Sequence, residues 1–386
     1  MNIPKLRFKD NNGNDYPQWE KKLIKDILKI YHGKDYKNEP NEKKLYPVLG
    51  TGGIITYIDK FLCDWECVLI GRKGTINKPQ YMKTPFWSVD TLFYSKPKLK
   101  QNPKFQYYLF QNINWKIYDE STGVPSLSAS TIEHINRFIP TYAEQEKIAS
   151  FFSTIDKKIE NLTNTITSLE NQKKGLLQQI FSQKLRFKDE NGNNYPNWKE
   201  NIESIKILSG NMYPTTSYIN KPGILLIQGI NITPNKLLLN DCIYISNDYN
   251  EINHVIVKKG DILLGLNRPL INNQLKICLF DKDFAYLYQR AGILSFNKLK
   301  INSLFLYQYL QTDSFKKHLQ VELVGSDQPY IKSNIFNKIK LIFPCLEEQT
   351  KIADFLSAFD RKLDNQKAQL EHWQQIKKGL LQQMFV

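Results

Sequence analysis

Two loops rich in arginine and amide side chains carry the clearest chemistry in this 386-residue chain. Arg72, Lys73, Thr75 and Asn77 follow the apolar run Cys67-Val-Leu-Ile-Gly71 in a loop bracketed by glycines. Backbone can come close to a phosphate there, and a guanidinium can reach guanine O6 and N7. Asn267 and Arg268, then Asn272, Asn273, Gln274 and Lys276, occupy the comparable place in the second half of the chain. Amide side chains can hold adenine by paired hydrogen bonds. Taken singly, each of these residues also suits a solvated turn, so the case rests on the loops as groups.

Catalytic constellations are missing. Asp327-Gln-Pro-Tyr330 imitates the Asp/Asn-Pro-Pro-Tyr/Phe motif that grips a flipped adenine, but glutamine stands where the first proline belongs and no cofactor loop precedes it, so it reads as a turn. Gly50-Thr-Gly-Gly53 lacks the third glycine of a dinucleotide fingerprint, and no Gly-x-x-x-x-Gly-Lys-Ser/Thr loop is present for ATP. His32, His134, His254, His318 and His372 have no cysteine or carboxylate at ligand spacing. Cys63 and Cys67 are followed by no second pair at zinc-finger spacing, so they read as residues packed in or beside a strand. The expectation is a non-catalytic chain with neither metal nor cofactor of its own.

Whatever the loops contact, an internal repeat must position them. Residues 5–19 (Lys-Leu-Arg-Phe-Lys-Asp-Asn-Asn-Gly-Asn-Asp-Tyr-Pro-Gln-Trp) return at 184–198 with three changes, and residues 144–181 return at 348–385 with 18 of 38 positions identical. The stretches between look unrelated. Shared supports around divergent inserts suit two modules that read different things while held in one relative orientation.

The second repeated segment is a heptad seam. Apolar residues fall at Ile148, Phe152, Ile155, Ile159, Leu162, Ile166 and Leu169, and again at Ile352, Leu356, Phe359, Leu363, Leu370 and Trp373. Each helix opens after a proline, Pro140 or Pro344, carries acid in its first turn, and ends rich in lysine as the helix dipole favours. Thirty-eight residues make a rod of roughly 57 Å. Two matched rods in one chain pair naturally as an antiparallel coiled coil with one module near each end. Gln366 and the in-seam Lys173 and Lys377 are candidate register-setting or partner-facing positions.

The expected domains are a first recognition module at 1–140, a first spacer helix at 141–183, a second module at 184–343 and a second spacer helix at 344–386. Apolar runs at 46–53, 67–75 and 86–94 read as strands in the first module, with a helix at 102–111. In the second, 223–229, 255–264 and 291–296 read as strands, with a helix at 303–320. The fold class is α+β, with one module type used twice.

Net charge is +15, distributed as +8 over residues 1–183 and +7 over 184–386. Two cationic halves fit two contacts on one polyanion, although Lys-, Asn- and Ile-rich usage also follows from an AT-rich genome. Five scattered cysteines, no signal-peptide pattern and no apolar run of about 18 residues point to a soluble protein of a reducing cytoplasm, with no membrane partner.

Four motifs then bear on family. The segments Gly123–Pro140 and Gly325–Pro344, the following Glu-Gln-x-Lys-Ile-Ala at 144 and 348, the aspartates at 156 and 360, and Lys-Lys-Gly-Leu-Leu-Gln-Gln at 173 and 377 occur twice in the same order. With the Tyr-Pro-x-Trp entry of each half, the chain resembles the DNA specificity subunit of type I restriction-modification systems along its whole length. The resemblance implies two target-recognition domains, each reading one half of a bipartite, asymmetric site in double-stranded DNA. It also implies that the helices set the spacer and dock two modification methyltransferase subunits and, through them, restriction subunits. S-adenosylmethionine, ATP and magnesium would then belong to the partner subunits. A coiled-coil scaffold with protein-binding modules remains the rival reading.

Overall fold

The computed structural model describes residues 4–220, 222–240, 242–249 and 253–385. The first three residues of the expected first module and Val386 of the second spacer segment lie outside the described residues. The chain divides into two compact units, residues 1–165 with 366–386 and residues 166–365. The division falls inside both long helices, so each unit holds one divergent module and part of each helix.

In the first unit, β1 (Glu20–Leu23), α1 (Ile24–Ile27) and β2 (Leu28–His32) lead into the hairpin β3 (Tyr46–Gly50) and β4 (Gly53–Ile58). Then come β5 (Cys67–Gly71), β6 (Gln80–Met82), β7 (Trp87–Ser88), β8 (Leu92–Pro97), α2 (Pro103–Asn112), α3 (Ala129–Glu133), β9 (Asn136–Ile139) and α4 (Tyr142–Phe181). A four-stranded antiparallel sheet has the order β2-β8-β5-β6. A second sheet, β4-β3-β7, joins β3 and β7 in parallel, and β1 pairs with β9. The unbroken apolar run of β5 is buried at every position, as a strand flanked on both sides requires. Asn102 Oδ1 accepts from the Lys104 and Phe105 amides, and Pro103 follows at the first turn, so α2 starts where cap chemistry dictates.

The second unit uses the same plan with unrelated residues. Its strands are β10 (Lys199–Glu200), β11 (Lys206–Ser209), β12 (Tyr218–Ile219), β13 (Ile224–Ile227), β14 (Ile232–Thr233), β15 (Lys236–Leu237), β16 (Ile243–Ile245), β17 (Ile256–Lys258) and β18 (Ile262–Gly265). The hairpin β19 (Leu270–Ile271) and β20 (Gln274–Leu275) follows, then β21 (Ile277–Leu279), β22 (Phe284–Leu287), β23 (Ala291–Ser295), α5 (Ser303–Tyr309), α6 (Asp313–Glu322), β24 (Ile342–Phe343) and α7 (Leu346–Met384). The sheet β11-β23-β18-β21 repeats the strand order and antiparallel sense of β2-β8-β5-β6. The parallel pair β13 and β22 repeats β3 and β7, and β10 with β24 repeats β1 with β9.

Three expected elements divide. Residues 255–264 form β17 and β18, which enter different sheets, because Asp261 Oδ2 accepts the Lys258 amide and closes a turn between them. Residues 86–94 likewise divide into β7 and β8. The helix expected at 303–320 breaks after Tyr309, where Thr312 Oγ1 accepts the Phe315 amide and caps a new helix that has Asp313 in its first turn.

The two long helices, 40 and 39 residues, run in opposite directions within each unit. In the first, Ile148, Phe152 and Ile155 share a core with Leu381, Met384 and Phe385, while Asp156, next to Ile155, meets Lys377 at 2.7 Å, one turn before Leu381. In the second, Ile352 and Leu356 share a core with Ile180, and Asp360 meets Lys173 at 2.5 Å. Leu162, Ile166, Leu169 and Leu363 are buried, and Ile159, Phe359, Leu370 and Trp373 are half-buried. The lysine-rich ends are corrected. Neither last turn carries a basic residue, and Lys173 and Lys377 turn to the opposite helix instead of the terminal carbonyls.

Candidate nucleic-acid interface

Each module is fixed to its helix by the duplicated residues. Arg7 makes a paired contact with Glu144, Nε at 3.0 Å from Oε1 and a terminal nitrogen at 2.7 Å from Oε2, and also donates to the Tyr16 and Pro17 carbonyls. Trp19 Nε1 adds a 3.1 Å bond to the same carboxylate, which is fully buried. Arg186, Glu348, Tyr195, Pro196 and Trp198 repeat every contact. The hydrogen bond to Glu144 raises Arg7 above the ordinary arginine value, and Glu348 does the same for Arg186. Beside each glutamate, Gln145 or Gln349 accepts the amide of the helix-capping Asn102 or Asn302 and donates to Pro140 or Pro344.

From these anchors the sheets carry three loops to one edge of the first module. Val89, Asp90 and Thr91 join β7 to β8, and this connection rides so close to Gly33 that a Cβ there would lie 1.9 Å from the Val89 carbonyl oxygen. The loop leaving β5 is tied to it, the Arg72 amide donating to the Thr91 oxygen at 2.8 Å and the guanidinium to the Asp90 oxygen at 3.3 Å. The third loop precedes α3, with Leu127 donating to the Arg72 oxygen at 2.9 Å and Gly74 to the Pro125 oxygen at 2.8 Å. Lys73 and Asn77 are exposed on this edge, and Arg72 and Thr75 are half-exposed.

The second module builds the same junction. A Cβ on Gly210 would lie 2.2 Å from the Leu287 oxygen, and Tyr288, Gln289 and Arg290 take the place of Val89, Asp90 and Thr91. The Leu266 amide donates to Arg290 at 2.9 Å, Ile331 donates to the Leu266 oxygen at 2.9 Å, and Arg268 donates to Pro329 at 2.7 Å. Asp327-Gln-Pro-Tyr330 is the turn expected, closed by paired backbone bonds between Val324 and Tyr330.

The structure therefore gathers Asn267 and Arg268 at this edge, and it places Asn272 and Asn273 at the tip of the β19–β20 hairpin, both with positive φ, beside exposed Gln274. Lys276 is placed otherwise. It is only 8% exposed, its Nζ donates to the Asn267 oxygen, and burial lowers its pKa. Asp90, Thr91, Gln289, Arg290 and the loops ahead of 127 and 331 were not read from the sequence as part of this edge. Gly33 and Gly210, each just past the first strand of its four-stranded sheet, were the available signal.

The sequence pattern of the type I restriction modification DNA specificity domain matches residues 16–171 and 186–372. The MjaVIII type I restriction enzyme specificity subunit of Methanocaldococcus jannaschii is 28% identical over 97% of this chain and 94% of its own length. A putative MjaX specificity subunit of the same organism is 26% identical over 97% and 94%. The fold is similar to the crystal structure of a type I restriction-modification S subunit from M. genitalium, with TM-score 0.67 and 17% identity over 100% of this chain and 99% of that one. It is also similar to a chain from a structural study of type I system assembly and conformational transition, with TM-score 0.52 and 13% identity over 95% and 98%.

Proposed function

The chain belongs to the type I restriction-modification DNA specificity family, and from that premise we propose that its two modules read the two halves of one split, asymmetric DNA site. The carrying observation is the duplicated junction of three loops on two modules of one topology, each clamped to its helix by the same Arg–Glu–Trp contact. Equal scaffolds with unequal loops give two different half-sites. The first recognition domain is residues 1–140 and the second 184–343. Arg72, Lys73, Thr75 and Asn77 serve one half-site, and Asn267, Arg268, Asn273 and Gln274 the other. Lys276 supports the second loop from beneath.

The helices, 141–183 and 344–386, pair as an antiparallel coiled coil that sets the gap between half-sites. With about 3.4 Å per base pair, a rod of roughly 57 Å caps that gap near 17 base pairs. Their duplicated residues sort into two groups. Glu144, Gln145, Asp156 and Lys173, with their counterparts, are used inside the chain. Lys158, Asn161, Lys174, Gln178 and their counterparts are duplicated yet exposed, and open space lies where a Cβ on Gly175 or Gly379 would point. That exposed group is where two modification subunits dock, bringing S-adenosylmethionine, with the ATP- and magnesium-using restriction subunits joining through them.

The test is methyl transfer in vitro. The chain assembled with type I modification subunits and S-adenosylmethionine methylates DNA carrying one split motif, and the chain alone transfers no methyl group. Methylation by the chain alone, or by the assembled complex without sequence preference, contradicts the reading.

A further inference from the structure

Resting on that reading, we infer that Arg268 and Arg290 form a two-guanidinium edge that reads guanine bases in the half-site of the second module. Both residues have left-handed backbone, φ 44° at Arg268 and 67° at Arg290. A Cβ makes that region costly, and glycine or asparagine takes it most readily, as at Gly74, Asn272 and Asn273, although Lys44, Lys100 and Gln183 adopt it elsewhere in the chain. Arginine gains nothing from such a conformation. Its presence twice at one junction, one backbone hydrogen bond apart through Leu266, marks side chains kept in spite of the backbone.

The first module supplies the internal comparison. Gly74 holds the place of Arg268: its amide donates to Pro125 as that of Arg268 donates to Pro329, two residues after a residue whose oxygen accepts from Leu127 or Ile331. Gly74 has φ 86°, so the junction demands left-handed backbone in both modules, and the first meets the demand with glycine. Thr91 holds the place of Arg290 without positive φ. The second module thus departs from the cheaper solution at both positions, and each departure is an arginine. Both side chains are exposed, and neither has a carboxylate partner among the described residues. A planar fork of donors on a fixed edge suits the O6 and N7 atoms of guanine better than a diffuse phosphate contact.

Substitution by glycine separates this role from a structural one. Arg268→Gly and Arg290→Gly remove backbone strain, so the melting temperature of the complex should equal or exceed that of the wild type. Methylation of the native site should nevertheless fall about 10- to 100-fold, with relaxed base preference confined to one half of the motif. Arg268→Lys and Arg290→Lys keep the charge and lose the fork, and should show the same loss. Arg72→Ala should affect the other half. Glycine variants that keep the wild-type motif and rate overturn the inference alone, as do lysine variants with full rate and unrelaxed motif, which would mean that the guanidinium forks do not set the base preference. A wild-type complex that methylates no split motif overturns the functional reading and this inference together.

Discussion

At the residue scale, the fold depends on two buried carboxylates. Glu144 and Glu348 each neutralise one arginine and satisfy one indole, so removing the charge strands a guanidinium at the base of a module. Glu144→Gln is expected to destabilise the chain by about 3 kcal/mol, and Glu348→Gln by a similar amount, both measurable by urea unfolding. Two tyrosines, Tyr213 buried and Tyr107 half-buried, give a second prediction. Burial pushes Tyr107 and Tyr213 up to about 12 from an ordinary 10.0. The folded chain keeps protons that the unfolded chain releases above pH 10, so this stability is complete below pH 10 and is lost as pH rises through 12. The urea midpoint should drop between pH 9 and 11, and drop less in Tyr107→Phe. Arg7, Trp19 and Glu144 all stood out in the sequence as duplicated residues. That they meet one another did not, because a repeat reports which residues are kept and not which are neighbours across more than 120 positions. Arg290 was missed for a related reason: backbone strain leaves no mark on residue type until φ is known.

At the element scale, periodicity was the reliable guide. The heptad seams of α4 and α7 bury Ile148, Phe152, Ile155, Leu162, Ile166 and Leu169 and, in the second copy, Ile352, Leu356 and Leu363, while Ile159, Phe359, Leu370 and Trp373 are half-buried. The helix expected at 102–111 is α2, Pro103–Asn112, capped by Asn102. Apolar content alone misled at 255–264 and 303–320, where Asp261 and Thr312 bond to nearby backbone and cut one element into two. The in-seam lysines find an aspartate on the opposite helix, a local choice that a seam pattern leaves open. If the helices set the gap between half-sites, inserting four residues near Asn164 adds about 6 Å to α4 and turns whatever follows. Methylation at the original spacing should then fall. Unchanged spacing preference in the mapped motif would refute the ruler.

At the scale of the whole molecule, the first unit is built from both ends of the chain. Phe385 stacks on Phe105 at 5.5 Å and meets Trp19 and Phe152 edge-on or tilted, so the first module lacks a wall until the last residues of α7 arrive. Phe385→Ala should cost about 3 kcal/mol or more, read as faster hydrogen exchange in Ile24–Ile27 and Pro103–Asn112 with little change in α5. The most direct test of the account is genome-wide mapping of adenine methylation in cells that carry this chain with its modification subunit, compared with cells lacking the chain. One split, asymmetric motif with a fixed gap, present only with the chain, is the predicted result. Identical methylation in both, with the assembled complex demonstrated, would contradict it and favour a protein-binding scaffold.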